Sequence, residues 1–322
     1  MEHIVFLDTA TVASTDLTAL QIAKTTLSCY ATTEPAELAA RLRDATIVIS
    51  NKVMLSANDI AQAPQLKLIC VAATGTNNVD IAAATARGIL VCNVREYALG
   101  AVPQHAMALL LTLNNQTAIQ QQAVANGKWS QSPVFCLHQQ PIQSLQGKVF
   151  TVVGYGGLGQ ATAQLAQAFG MRICIAERPN ASEIRPGRVA FREALAQADV
   201  VSLHCPALPQ QPPIIGADQL RWLKPSALLL NTARGQLIDE IALLQALQQG
   251  QLAGAALDVL TQEPPPPDHP LLAITMPNLL LSPHIAWATT ESIQCLVAQL
   301  AENIVAFMSG SPLRTCNIIK SE

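Results

Sequence analysis

The fold is decided by the stretch Val149-Phe150-Thr151-Val152-Val153-Gly154-Tyr155-Gly156-Gly157-Leu158-Gly159. Its first five residues are apolar or favour β structure, and they lead into three glycines spaced G-x-G-x-x-G. An Ala-rich segment at 160–169 predicts a helix that Gly170 ends. A second predicted strand at 172–176 ends on Glu177. The stretch therefore predicts a β-α-β unit with an acidic residue about twenty positions past the glycines.

Each part of this unit has a role in binding a dinucleotide. Gly154 permits the tight turn off the strand, and Gly156 lets the backbone approach a pyrophosphate. Gly159 lets the helix pack closely on the sheet, and the helix N-terminus offers unpaired N–H groups to the phosphates. Glu177 can accept hydrogen bonds from both ribose hydroxyls of an adenosine. We therefore predict a dinucleotide site here.

Length and composition narrow the class of protein. The 322 residues are enough for two domains, and the net charge of -3 gives no support to nucleic-acid or acidic-membrane binding. The eight cysteines are scattered without a C-x-x-C pair. The sequence shows neither a secretory signal nor an apolar run of membrane-spanning length. We therefore expect a reduced, cytoplasmic protein with no metal site and no membrane or nucleic-acid partner.

Strands and helices alternate through the first hundred residues. Predicted strands lie at 4–7, 46–50, 66–73 and 89–93, and predicted helices lie at 36–43 and 81–87, the latter capped by Asp80. Alternation of this kind is typical of a parallel sheet with helices on both faces. The turn Thr74-Gly75-Thr76 follows one of these strands, at the end where open α/β sheets bind ligands.

The rest of the chain combines a helical region with a second strand-rich region. One long helix is predicted at 103–125, with Pro103 in its first turn, followed by an irregular segment at 126–146 that contains Trp129 and Phe135. Further strands are predicted at 189–191, 199–204, 227–231, 253–257 and 279–281, and a closing helix at 290–308.

Three polar residues follow predicted strands in this second region: Arg234, Glu263 and His284. Hydride transfer to a 2-oxo acid uses these chemical types. A histidine can donate the proton, and a nearby carboxylate holds its ring and favours the imidazolium. An arginine binds the substrate carboxylate as a planar fork. Without further context, Arg234 could simply lie in an ordinary turn. His284 could likewise be an exposed histidine or one packed in the core.

The other histidines are not expected to be catalytic. We expect His3, His138 and His269 on the surface or in loops, and His105 as a packing or interface residue of the long helix. His204 ends a predicted strand and is expected to line the cofactor crevice.

Over nearly its whole length the chain resembles the D-isomer-specific 2-hydroxyacid dehydrogenase family. The matching motifs lie at 154–159, 203–206, 231–235, 254–259, 263–264 and 282–284. The resemblance implies that Arg234 binds substrate, that Glu263 assists the histidine, and that His284 donates the proton. Residues 74–80, 128–130 and 283–288 are most similar to the bacterial glycerate dehydrogenases, or hydroxypyruvate reductases.

The resemblance also implies a set of contacts. Cofactor contacts are expected at Gly154, Gly156, Gly157, Leu158, Gly159, Glu177, His204, Cys205, Pro206, Thr232, Ala233, Arg234, Asp258, His284 and Ala286. Substrate contacts are expected at Thr74, Gly75, Thr76, Arg234, His284 and Trp287. NAD is the expected cofactor, with NADP as a weaker alternative because Arg178 follows Glu177.

The implied architecture is α/β, with two Rossmann-like doubly wound parallel-sheet domains and a cleft between them. Residues 1–98 and 286–322 would form a discontinuous, flavodoxin-like substrate domain, and residues 99–285 the NAD-binding Rossmann domain. A homodimer through 103–146 is expected. The implied reaction is the NADH-dependent reduction of a small 2-oxo acid, of the hydroxypyruvate or glyoxylate type, to the D-2-hydroxy acid, and its reverse. A dinucleotide-sensing, co-repressor-like binding protein on the same fold stays open as the alternative.

Overall fold

The structure is a computed structural model that describes residues 1–13, 15–139, 142–208, 210–274 and 276–318. The chain divides into two compact units, Met1–Ala98 with Ala288–Glu322 and Leu99–Trp287. Each unit contains a parallel β-sheet, which confirms the predicted α/β class with two parallel-sheet domains.

Strands and helices alternate along most of the chain. The strands are β1 Glu2–Phe6, β2 Thr25–Cys29, β3 Ile47–Ser50, β4 Leu68–Val71, β5 Leu90–Cys92, β6 Val149–Val153, β7 Arg172–Ala176, β8 Val200–Leu203, β9 Leu228–Asn231, β10 Gly254–Leu257 and β11 Leu279–Leu281. The helices are α1 Pro35–Leu42, α2 Ala57–Ala61, α3 Ile81–Ala86, α4 Ala101–Asn115, α5 Thr117–Ala125, α6 Gly157–Ala168, α7 Phe191–Gln197, α8 Ala217–Trp222, α9 Glu240–Gln248 and α10 Thr290–Met308. Within the described residues, none of these helices combines the length and the apolar character that crossing a membrane requires.

The two sheets have related strand orders. The first unit holds the five-stranded sheet β2-β1-β3-β4-β5, the flavodoxin-like order. The second holds the six-stranded sheet β11-β10-β9-β8-β6-β7, and Val189 adds one parallel bridge beside Ala176 on β7. If Val189 is counted as a minimal further strand beside β7, the strand order is that of a dinucleotide-binding fold. In this fold the order in which successive strands join the sheet reverses between β6 and β8.

The strand predicted at 189–191 is therefore wrong in its extent. Only Val189 forms a bridge, and Phe191 is already the first residue of α7. Phe191, Ala194 and Leu195 are the buried residues of this helix. Their spacing of three and four places them on one helical face, so packing of that face favours a helix over a longer strand.

The predicted long helix is also wrong, because it is broken at Gln116. This residue has a left-handed φ of 53° and separates α4 from α5. The buried face of α4 runs to Leu113, whereas only Ala123 is buried in α5. Without a continuous apolar face to pack, the second half has little reason to continue the same axis. Pro103 lies in the first turn of α4, as predicted.

The core of the second unit anchors the strand that precedes the glycines. All five residues of β6 are buried, as expected for a central parallel strand covered on both faces. Phe150 and Val152 pack in one cluster with Leu110 of α4 and Ala163 of α6. The glycine turn after β6 therefore starts from a rigid element.

Candidate active site

The glycine turn lies where the strand order of the second sheet reverses. Gly154 follows β6 with a φ of 94°, a conformation that favours glycine. A Cβ atom at this position would lie 2.6 Å from the backbone nitrogen of Cys205 and from the carbonyl carbon of His204. His204 and Cys205 follow β8, the neighbour of β6. The structure therefore brings these two predicted residues against the turn, at the position where α/β folds bind dinucleotides.

The two later glycines differ in what surrounds them. A Cβ atom on Gly159 would lie 2.1 Å from the carbonyl oxygen of Gly154, so only glycine permits this close approach of helix and turn. A Cβ atom on Gly156 would meet no described atom within 4 Å. Gly156 is the N-cap of α6, and Leu158 lies in its first turn. The exposed helix N-terminus thus provides an open backbone cradle that fits a pyrophosphate.

His204 lies half-buried beside this cradle. Its Nε2 atom lies 2.8 Å from Ser202 Oγ, and burial lowers the pKa of His204 to about 4. The imidazole is therefore neutral at neutral pH, which suits a lining residue better than a proton donor. The adjacent Pro206 is exposed.

Glu177 lies directly after β7 and is only 2% exposed. Its carboxylate accepts hydrogen bonds from the backbone N–H groups of Arg178 at 2.8 Å and Arg185 at 3.2 Å. The Arg185 guanidinium donates to both carboxylate oxygens, through Nε at 2.8 Å and through a shorter bond from Nη2. Arg188 Nε lies 3.9 Å away. The hydrogen bonds from Arg185 hold the pKa of Glu177 well below its usual range.

Sequence reasoning anticipated Arg178 but missed Arg185. The only signal for it was that two further arginines, at 185 and 188, follow Arg178 in the loop after Glu177.

The proposed acid–base pair is formed within the second unit. His284 Nδ1 lies 2.6 Å from Glu263 Oε2, and Glu263 Oε1 accepts a hydrogen bond from the backbone N–H of Leu260 at 2.9 Å. The carboxylate therefore orients the imidazole through Nδ1, and Nε2 is the ring nitrogen that can present a proton to a substrate.

Asp258 organises the segment that carries His284. It follows β10, is 1% exposed, and accepts hydrogen bonds from the backbone N–H groups of Ile285 at 3.1 Å and Ala286 at 2.9 Å. The carbonyl oxygen of Asp258 accepts the N–H of His284 at 2.8 Å. His284 has a φ of 54°, and Trp287 Nε1 donates to its carbonyl oxygen at 3.0 Å. These bonds hold His284 in an otherwise uncommon backbone conformation.

His105 joins this network from α4. Its Nε2 atom lies 2.9 Å from Ser282 Oγ and 3.5 Å from Asp258 Oδ1, and Ser282 Oγ donates to the same carboxylate oxygen. The sequence suggested packing or an interface for His105, and its partner could not be read from spacing alone.

Arg234 follows β9 in a turn that Asn231 closes. Asn231 Nδ2 donates to the carbonyl oxygen of Arg234 at 2.8 Å, and Asn231 Oδ1 accepts the N–H of Ala233 at 3.0 Å. The hydroxyl oxygen of Thr232 is buried and has no hydrogen-bond partner among the described residues. A buried, unpaired polar atom at a predicted cofactor position is an observation that fits a bound cofactor.

Most predicted site residues thus share one edge of one sheet. Gly154, His204, Arg234, Asp258 and His284 follow β6, β8, β9, β10 and β11, which are neighbouring parallel strands. Because parallel strands end at the same edge, the structure brings the glycine turn and the three proposed catalytic residues to that edge.

Thr74, Gly75 and Thr76 belong to the first unit, where they follow β4. Asn93 Nδ2 donates to the carbonyl oxygen of Thr74 at 2.8 Å, and the carbonyl oxygen of Thr76 accepts the N–H of Val79 at 3.1 Å. These bonds shape the loop, and its contact with substrate stays a prediction.

His269 was expected on the surface or in a loop, and it lies in a loop, but its ring is buried rather than exposed. Nε2 lies 3.2 Å from Glu240 Oε2, and Nδ1 accepts the backbone N–H of Leu271 at 3.3 Å. With both ring nitrogens bonded, burial carries little desolvation penalty. Across the described ranges, no group of three or more His, Cys, Asp and Glu side chains is suited to hold a metal ion.

Comparison with known proteins identifies the family. A family model described as "D-isomer specific 2-hydroxyacid dehydrogenase, NAD binding domain" matches residues 107–286, more than half of the 322 residues. The glycerate dehydrogenase of Methylorubrum extorquens AM1 is 44% identical over 280 residues, which cover 86% of this chain and 87% of that protein. The hydroxypyruvate reductase of Blautia hydrogenotrophica is 36% identical over 288 residues, covering 88% and 89%.

A solved structure supports the same assignment over the full length. The NADPH-dependent glyoxylate/hydroxypyruvate reductase of Sinorhizobium meliloti, in complex with NADP and malonate, superposes with a TM-score of 0.83 at 25% identity, covering 100% of this chain and 99% of that one. The chain therefore belongs to the D-isomer-specific 2-hydroxyacid dehydrogenase family and is an oxidoreductase.

Proposed function

We propose that the protein reduces a small 2-oxo acid of the hydroxypyruvate or glyoxylate type to the D-2-hydroxy acid with NADH, and catalyses the reverse reaction. The observation that carries this proposal is the 2.6 Å contact between His284 Nδ1 and Glu263 Oε2. It lies on the sheet edge that also carries Arg234 and the glycine turn. The similarity to a glycerate dehydrogenase and a hydroxypyruvate reductase supports the substrate class.

Each member of the trio has one step in this reaction. A nicotinamide cofactor, when bound, would supply the hydride that the carbonyl carbon receives. His284 donates the proton that the carbonyl oxygen takes up, and Glu263 orients the imidazole through its Nδ1 atom. Arg234 binds the substrate carboxylate through its planar fork and polarises the neighbouring carbonyl. In the reverse direction, neutral His284 accepts the proton of the substrate hydroxyl.

The cofactor would be held by the second unit. The backbone of Gly156, Gly157 and Leu158 would cradle the pyrophosphate, and Thr232 Oγ1 would gain the hydrogen-bond partner that it lacks within the described residues. The other proposed cofactor contacts are Gly154, Gly159, Glu177, His204, Cys205, Pro206, Ala233, Arg234, Asp258, His284 and Ala286.

Substrate binding would also use the first unit. We assign the substrate-binding role to residues 1–98 with 286–322, and the cofactor-binding role to residues 99–285. Backbone N–H groups of Thr74, Gly75 and Thr76 would bind the substrate carboxylate, and Trp287 would contact the substrate.

We assign NADH as the preferred coenzyme, with NADPH as the weaker one. The carboxylate of Glu177 suits ribose hydroxyls and would repel a 2′-phosphate. The guanidinium groups of Arg185 and Arg188 lie beside this carboxylate, whereas Arg178 contacts it only through its backbone N–H. The same site therefore offers cationic groups to a 2′-phosphate if Arg185 turns away from Glu177. We therefore expect NADH to be favoured by about 10–100-fold in kcat/KM while NADPH stays usable.

A steady-state assay of NADH oxidation tests the reaction. The assay would compare hydroxypyruvate, glyoxylate, pyruvate and phenylpyruvate as substrates. Chiral chromatography would determine whether the product is the D- or the L-2-hydroxy acid. We expect the highest kcat/KM with hydroxypyruvate or glyoxylate, a D product, and loss of turnover in His284→Ala. NADH binding without turnover on any of these acids would contradict the proposal and favour the co-repressor-like alternative, which the relatives named above do not support.

We also propose a homodimer through residues 103–146, in a protein of the cytoplasm. Phe135 is 91% exposed, and Val134 and Trp129 beside it are more than half exposed. Gln140 and Pro141 of this segment lie outside the described residues. Apolar side chains grouped in this way favour burial against a second copy. Light scattering at micromolar concentration should give a dimer mass for the wild type and a smaller mass for Phe135→Asp, whereas a wild-type monomer would contradict the proposal.

A further inference from the structure

The described residues of the loop that carries Glu263 form neither a helix nor a strand. The loop connects β10 to β11 and contains four consecutive prolines at 264–267, which have no backbone N–H to donate. Glu263 itself is exposed in this loop. Because general acid catalysis depends on the short bond between Glu263 and His284, something else must fix the loop.

One carboxylate holds both limbs of this loop. Glu240 Oε1 accepts the backbone N–H of Thr261 at 2.7 Å, and Glu240 Oε2 lies 3.2 Å from His269 Nε2. Thr261 and His269 stand on opposite sides of Glu263 and the proline run. The two side chains are largely buried, with 14% of Glu240 and 8% of His269 exposed, so water competes weakly for these bonds.

The His269 ring is oriented as a hydrogen-bond donor. Because Nδ1 accepts the backbone N–H of Leu271, the proton of the neutral ring lies on Nε2, facing Glu240. The backbone of His269 is held as well, since its N–H donates to the carbonyl oxygen of Pro266 and its carbonyl oxygen accepts the N–H of Leu272. His269 therefore anchors the second limb of the loop.

Glu240 also ties this loop to the segment of Arg234. It is the first residue of α9, shortly after the turn that carries Arg234. A Cβ atom on Gly235 would lie 2.0 Å from the carbonyl carbon of Leu260, so the turn and the loop are in backbone contact. Gln236 Nε2 adds a bond to the carbonyl oxygen of Thr261 at 3.0 Å.

We propose that Glu240 and His269 are a positioning pair that holds Glu263 at hydrogen-bond distance from His284. The inference rests on the proposed function, because it assigns the pair a role in the proton transfer. Neither side chain needs to touch substrate or cofactor. The pair should therefore affect kcat only through the position of Glu263.

Steady-state kinetics of the full-length protein with NADH and hydroxypyruvate test this role. His269→Leu should lower kcat by about 10- to 100-fold, the range expected for a displaced catalytic group, and leave KM and NADH affinity within about twofold. His269→Gln places an amide donor near the position of Nε2 and should recover most of the turnover. His3→Leu, which removes a histidine bonded to Ser28 Oγ in the first unit, is the matched control and should leave kcat unchanged.

A double-mutant cycle separates positioning from a merely structural role. In a Glu263→Gln background, His269→Leu should change kcat by less than about twofold, because the contribution through Glu263 is already lost. An equal loss of kcat in both backgrounds would overturn the inference, as would full activity of His269→Leu. A wild-type protein without turnover would instead overturn the proposed function itself.

Discussion

His204 should make the stability of the second unit depend on pH. Burial lowers the pKa of this histidine from its ordinary value of 6.5 to about 4 in the folded protein. Between these values the unfolded chain binds a proton that the folded protein does not. Stability contributed by the neutral ring is therefore fully present above about pH 6.5 and is lost as the pH falls toward 4.

The size of the loss follows from the two pKa values. At about 1.4 kcal/mol for each pH unit, the full difference is about 3 kcal/mol, and about 2.5 kcal/mol of it should be lost at about pH 4.5. His204→Gln removes the titrating ring but keeps a polar group near Ser202 Oγ. The variant should therefore lose less free energy of unfolding than the wild type between about pH 7 and 4.5.

Urea unfolding monitored by tryptophan fluorescence measures this difference in the relevant part of the chain. All three tryptophans, at 129, 222 and 287, belong to the second unit, so their signal reports on the unit that contains His204. His138→Gln, at an exposed position, controls for the loss of any histidine. Parallel pH dependence of the wild type and His204→Gln would refute the reasoning.

Further predictions concern the reaction and the coenzyme. His284→Ala should lower kcat by ~10²–10⁴-fold while NADH binding persists, and retention of more than about a tenth of turnover would remove His284 as the proton donor. Arg234→Lys should raise the substrate KM and lower kcat together. An unchanged kcat/KM would show that another residue binds the substrate carboxylate. Arg185→Leu should lower kcat/KM for NADPH about tenfold more than for NADH, and Glu177→Ala should reduce the preference for NADH. If the ratio of kcat/KM for NADH to that for NADPH is unchanged in both variants, other residues must select the coenzyme.

Elements with strong local signals could be predicted from the sequence. Asp80 was expected to cap a helix, and its carboxylate accepts the N–H of Ala83 at 2.9 Å. The closing helix was expected at 290–308, and α10 has these bounds, with Thr289 accepting the N–H of Ser292. Both signals are carried by residues within one helical turn of each other, so they need no knowledge of the rest of the fold.

The break at Gln116 could not be predicted in this way. Neither glycine nor proline marks the position, and the weak helix formers Asn114, Asn115 and Thr117 around it do not by themselves end a helix. What changes is the packing, since the buried face of α4 ends at Leu113. The end of the packed face, more than local propensity, therefore places the break, and a single sequence does not reveal it.

Some residues of the candidate site could likewise be predicted from the sequence, and others could not. The glycine turn and the trio are readable because each follows a strand, and parallel strands end at one edge. Arg185 lies eight positions from its partner Glu177, and His269 lies 29 positions from Glu240. No periodicity links such pairs, so only the folded chain shows which carboxylate meets which donor.

Largely buried carboxylates accept backbone N–H groups from three segments that lack regular structure. In the second unit Asp258 accepts two backbone N–H groups after His284, and Glu240 accepts one before Glu263. In the first unit Asp8 accepts the N–H groups of three consecutive residues, 51–53, after β3. Each bond joins a charged acceptor to a backbone donor, the type that gains most when water is excluded. A loop held in this way presents its exposed side chains in a fixed geometry, because backbone contacts beneath them set that geometry. In the second unit, Asp258 and Glu240 therefore support the two segments that carry the proposed acid–base pair, and these acids lie outside the segments that they hold.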